Sequence, residues 1–119
     1  MLPARNRMTR STEFGATVNR GMRAVQPDIV VHARRDVDFA EAGPKVGLVV
    51  SKSVGGSVQR HHVARRLRHV ARSVLDDLSP ADRIVIRALP SSRHAVSARL
   101  EQQLRVALAK THLLDGTGR

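Results

Sequence analysis

Apolar and polar positions alternate along the chain with periods that change, and each change marks an element. Phe14 and Val18 stand four apart behind Ser11 and ahead of Gly21. This spacing predicts a short first helix, with Ser11 as N-cap and Glu13 near its positive end. Ile29-Val30-Val31-His32-Ala33-Arg34 predicts a strand, and Asp36 to Pro44 an acidic turn containing Gly and Pro, with Phe39 as a loop anchor. Lys45-Val46-Gly47-Leu48-Val49-Val50-Ser51 predicts a second strand, apolar enough to be central in a sheet. The longest pattern follows Gly55-Gly56: Val63, Leu67, Val70, Ala71, Val74 and Leu78 recur at three- and four-residue steps and share one helical face. That helix is expected from Ser57, a candidate cap, to Leu78, where Ser79-Pro80 stops it. Arg83 to Ala88 predicts another strand, with Arg83, Val85 and Arg87 on a half-exposed side. After the turn Pro90-Ser91-Ser92 comes a last amphipathic helix with Val96, Leu100, Leu104, Ala107 and Leu108 inward, then a frayed tail from Leu114 to Arg119.

Helix, strands, long helix, strand, helix is the order of an α+β sandwich, with helices packed on a small mixed sheet. The strands flanking the long helix are able to pair in parallel; periodicity does not say with which handedness they cross over. A chain of 119 residues suits one domain, led by a basic arm over about residues 1–10 that carries Arg5, Arg7 and Arg10 and no acid.

Composition adds a partner. Lys plus Arg is 21 against 10 Asp plus Glu, a formal net charge of +11. Such an excess costs stability by self-repulsion and attracts polyanions. Lysine occurs only at Lys45, Lys52 and Lys110, so the excess is arginine, whose planar fork fits phosphate oxygens and stacks on bases. GC-rich codon usage would explain Arg over Lys but not the surplus of cations. Cysteine is absent, which excludes disulfides and thiolate metal sites. No apolar run approaches a membrane span, and no secretory signal follows the N-terminal charges, so a cytoplasmic protein with no membrane association is expected.

The cations are concentrated. Between Glu41 and Asp76 there is no acid, while Lys45, Lys52, Arg60, Arg65, Arg66, Arg68 and Arg72 and His61, His62 and His69 all lie in that gap. A solvated face ordinarily mixes both signs. At about 100° per residue, His61, Arg65, Arg68 and Arg72 share a stripe about 60° wide, expected to lie beside the apolar face at the rim of a groove. Arg60 falls in the first turn, where free N–H groups add attraction for phosphate, and Gly55-Gly56 lets a ligand backbone come close. Phe14 admits two roles, core packing and base stacking.

Enzyme chemistry is hard to place. His61-His62 lacks the i, i+4 spacing of helical zinc ligands, since position 65 is Arg. No Walker loop, nucleophile elbow or paired carboxylates occur, and Asp76-Asp77 points two ways from a helix end. A protein-only nuclease needs carboxylates for Mg²⁺, and the basic surface has none. From the residues alone, a structural RNA-binding protein, a nuclease and a DNA-binding module stay open.

From about Arg5 to His112 the chain resembles the protein subunit of bacterial ribonuclease P. Val50 through Arg68 carries the likeness: a strand, a Gly turn with Lys52 and Gly55, then Arg60, Arg65 and Arg68 at the arginines of that family's Arg-Asn-x-x-Lys-Arg-x-x-Arg helix. Arg5-Asn6-Arg7-Met8 and Glu13-Phe14 are similar to its opening. His61 stands where Asn is usual, Ala64 where Lys is, His69 where Glu is frequent, and Val18 and His32 where aromatic residues often lie. The resemblance implies a two-layer sandwich of ribosomal-protein-S5-like topology with a left-handed βαβ crossover. It implies as partners a catalytic RNA, which holds the Mg²⁺, and precursor tRNA, whose 5′ leader is removed; no catalytic residue is expected in the protein, and no protein oligomer is required. By that likeness Lys52, Arg60, His61, Arg65 and Arg68 meet catalytic RNA, and Phe14, Val18 and His32 line a leader groove. Arg72 joins the first set from the helical stripe.

Overall fold

A computed structural model describes residues 2–38 and 43–111; Phe39 and the tail from Leu114 lie outside them. Three helices, α1 (Ser11–Arg20), α2 (Ser57–Val74) and α3 (Ser97–Lys110), surround strands β1 (Met22–Val25), β2 (Ile29–Arg35), β3 (Lys45–Val49) and β4 (Asp82–Ala88). The sheet order is β1-β2-β4-β3, with β1/β2 and β2/β4 antiparallel and β3/β4 parallel. The two strands flanking α2 therefore do pair in parallel, with α2 as their crossover.

β4 lies inside the sheet with Ile84, Val85 and Ile86 buried on both faces, as a near-continuous apolar run requires. Period-2 alternation then sorts the sheet. One face carries Ala24, Ile29, Val31, Ala33, Val46, Ile84, Ile86 and Ala88, packed against Val63, Leu67, Val70 and Val74 of α2 and Leu100, Leu104 and Leu108 of α3. The other carries Arg23, Val30, His32, Arg34, Gly47, Val85 and Arg87, and α1 lies across it.

Several expectations need correction. Met22–Val25 is an edge strand that the alternation did not reveal, being four residues long with one buried position. Ser11 and Ser57 are first helical residues rather than caps; Arg10 and Gly56 hold the cap positions, without side-chain capping bonds. α2 ends at Val74 and tightens into a 3₁₀ turn, Leu75–Asp77, before Pro80. The Arg83/Val85 half of β4 is not half-exposed. Arg83 is 0% exposed, and its Nη1 donates to the carbonyls of Asp82 (2.9 Å), Gly43 (3.1 Å) and Pro80 (3.1 Å). Only Arg87 on that side reaches solvent. The basic N-terminal stretch is docked against the sheet. Leu2 and Met8 are buried, Arg7 bridges to Val46, and the Met8 N–H donates to the Val46 carbonyl at 2.9 Å.

One buried polar knot joins the layers. The Asp28 carboxylate accepts from Ser91 Oγ, Arg99 Nε and Gln103 Nε2, each at 2.6 Å. The Asp28 N–H in turn donates to Gln103 Oε1 at 2.9 Å. Burial alone would raise this acid's pKa; the hydrogen bonds from Ser91, Gln103 and Arg99 outweigh it and hold the carboxyl below its ordinary range.

Candidate nucleic-acid interface

α2 and the turn before it form the first surface. Lys52 is exposed in a 3₁₀ turn, Lys52–Val54, that leads into Gly55. Gly55 has φ +154°, and a Cβ there would sit 2.9 Å from Gln59 Cβ, so the turn needs glycine. Gly56 caps α2 through backbone alone, and its first turn holds no acid, which leaves N–H groups free for an anion.

The stripe lies elsewhere on the helix than periodicity suggested. The buried residues of α2 are Val63, Leu67, Val70, Ala71 and Val74. The centre of the stripe His61, Arg65, Arg68 and Arg72 is about 145° round the axis from theirs, on the outer surface rather than beside the core. His61, Arg65 and Arg72 are exposed, and Arg60 and Arg68 are half-buried at the margins. Ion pairs among the described residues include Arg34 with Asp36, Arg35 with Asp82, Arg83 with Glu13, Arg99 with Asp28, and Arg105 with Asp77 and Glu101. α2 has no acid in its own sequence, so its outer surface is strongly cationic.

The second surface is on the opposite face of the sheet. A cavity of about 440 Å³ is lined by Val18, Arg23, Val30, His32, Arg87 and Leu89. Val18 of α1 and His32 of β2 thus come together as expected. Phe14, one turn earlier on α1, rests on Gly47, where a Cβ would come within 2.5 Å of the ring. It packs between α1 and β3 rather than in this cavity. Arg23 and Arg87 were missed. Arg23 sits on the unforeseen strand and pairs with His32 across β1/β2, and Arg87 pairs with Val30 across β2/β4. The alternation of β4 put Arg87 on an open face, but only the register brings it to His32. His32 is 7% exposed and its Nδ1 has no hydrogen-bond partner among the described residues. Burial first, then Arg23 and Arg87, push its pKa below the ordinary histidine value.

Among the described residues no three His, Cys, Asp or Glu side chains gather where they could hold a metal ion, and no helix is long and apolar enough to cross a membrane.

An α+β sandwich with a strongly basic helix on one side and a cationic cavity on the other defines a class, small basic proteins of the RNA-binding kind. Residues 2–112 match the family model described as Ribonuclease P. The chain is 66% identical over 116 residues to the ribonuclease P protein component of Mycolicibacterium vanbaalenii, covering 98% of each. It is 57% identical over 119 residues to that of Mycobacterium tuberculosis, covering 100% of each. The solved RNase P protein of Staphylococcus aureus superposes with a TM-score of 0.78 at 17% identity, over 92% of this chain and 97% of that one. That of Thermotoga maritima gives 0.70 at 16%, over 84% and 92%. The chain belongs to the ribonuclease P protein family. Its role is that of the protein part of an RNA-based enzyme of tRNA processing.

Proposed function

We propose that the protein docks on the catalytic RNA of ribonuclease P through Lys52, Arg60, His61, Arg65, Arg68 and Arg72, and holds the 5′ leader of precursor tRNA across the α1 face of the sheet. The observation that carries this reading is the acid-free outer surface of α2 behind the Gly55-Gly56 turn. Phosphate contacts there release counterions, so affinity falls steeply with salt.

On the leader side, Val18 and Leu89 offer apolar walls, Arg23 and Arg87 meet backbone phosphate, and His32 stands neutral between them. Phe14 supports this surface from beneath α1. A site of this kind takes single strands, read by backbone and shape more than by base edges. The protein supplies no catalytic group. The Mg²⁺ that the reaction uses is assigned mainly to the RNA subunit, as the family resemblance implies. The protein's contribution is charge: it lowers repulsion between two RNAs and so the Mg²⁺ they need.

Reconstitution tests the reading. Purified protein is added to a bacterial ribonuclease P RNA and precursor tRNA at low Mg²⁺. Leader removal is expected to exceed that of RNA alone, and the protein without RNA is expected to cut nothing. No improvement over RNA alone would overturn the proposal; cleavage by protein alone would return the chemistry to it.

A further inference from the structure

The cationic surface of α2 is wider than the stripe. His62, Arg66 and His69 project about 100° further round the axis, and α2 carries no acid between the two sets. His62 and His69 are exposed, and so are Arg93 and His94 of the adjoining 3₁₀ turn Pro90–His94. The two arginines of this flank are held in place. Arg66 Nη2 donates to the carbonyls of Ser92 (3.3 Å) and Arg93 (3.2 Å). Arg93 Nη1 donates to the Val54 carbonyl at 3.4 Å, and its Nε to His94 Nε2 at 3.2 Å. Guanidinium groups braced in this way lose little freedom on meeting phosphate.

Position separates this flank from both surfaces already described. Arg105 Nη2 of α3 donates to the Ser73 carbonyl at 3.2 Å, which puts α3 on the flank's side of α2. The leader cavity lies on the other face of the sheet. Acids return only at the far end of α2, where Asp77 and Glu101 pair with Arg105. A single phosphate backbone running along the stripe meets one edge of a helix about 10–12 Å across and leaves the other edge uncovered.

We propose that α2 is held between two backbone segments of the catalytic RNA, one on the stripe and one on the flank formed by His62, Arg66, His69, Arg93 and His94. This rests on the catalytic-RNA reading of the stripe. A folded RNA offers backbones on both sides of an inserted helix, and the leader, bound across the sheet, is not placed to serve the flank.

The chain has no cysteine, so a single introduced thiol is a clean tether. His61→Cys and His62→Cys, each carrying iron–EDTA, are assembled at full length with ribonuclease P RNA. These neighbours point about 100° apart. Strand scission is expected in two non-overlapping RNA segments. Scission of one shared segment, or from position 61 alone, would overturn the proposal; silence at both would overturn the stripe reading with it. Independently, His62→Glu with His69→Glu is expected to weaken RNA affinity about tenfold and flatten its salt dependence. Its thermal melting should be unchanged, because both side chains are exposed. Unaltered affinity in that variant would also sink the proposal.

Discussion

The outer surface of α2 and the cavity under α1 are both cationic, but they are made in different ways. On α2, neighbours in space are three or four residues apart in sequence, so one helix creates most of the surface. In the cavity, Val18, Arg23, His32, Arg87 and Leu89 come from α1, three strands and a strand end, and nothing local brings them together. The first surface should tolerate substitution with little loss of fold. The second should fail whenever its frame is disturbed.

The largest expected effect tests that frame. Asp28→Ala removes the acceptor of Ser91, Arg99 and Gln103 just before Ile29 and Val30. A loss of about 3 kcal/mol in urea unfolding is expected. A loss below about 1 kcal/mol would show that the knot does not hold the layers. Next, Arg65→Ala combined with Arg68→Ala should weaken catalytic-RNA affinity about 100-fold, or about 2.7 kcal/mol. The melting temperature should hardly move; a large drop would make these arginines structural and erase the contrast.

Gly47→Ala drives a methyl into the Phe14 ring, and overpacking of this kind costs about 1–3 kcal/mol. The discrimination between precursor and mature tRNA should fall while affinity for the catalytic RNA holds. Arg23→Ala or Arg87→Ala should each lower precursor affinity by about tenfold or less and reduce its salt slope by about one. The loss should vanish with tRNA that has no leader.

The smallest effect is a pH dependence. His32 has a folded pKa below its unfolded value, so between the two the unfolded chain binds more protons. Stability therefore rises with pH through that window and is lost as pH falls below about 6.5. Urea midpoints for the wild type and His32→Gln at pH 7.5 and 5.5 check this. The variant should lose less on acidification, and equal losses would place His32 in ordinary solvent.

Most elements were legible because their apolar spacing is long and regular, as in Val63 to Val74. β1 was not, since a short edge strand buries one side chain and alternation has nothing to repeat. The docking of the N-terminal stretch was hidden because Arg7 and Met8 pair with Val46 of β3, far along the chain. Arg83 read as a surface cation, since sequence carries no sign that the Asp82, Gly43 and Pro80 carbonyls converge on its guanidinium. Among the candidate site residues, charge and helical period point to the α2 set. Arg23 and Arg87 required the strand register.

By itself the sequence determined the fold class, pointed to a polyanion partner and marked the helix proposed to meet it, because charge and periodicity are local and add up along the chain. Tertiary structure decided which way that helix faces, which arginines are buried, and where α1, β1 and β4 enclose a cavity around His32. Those depend on strand register and on helices packing over a particular sheet face, which are contacts between residues that sequence keeps far apart.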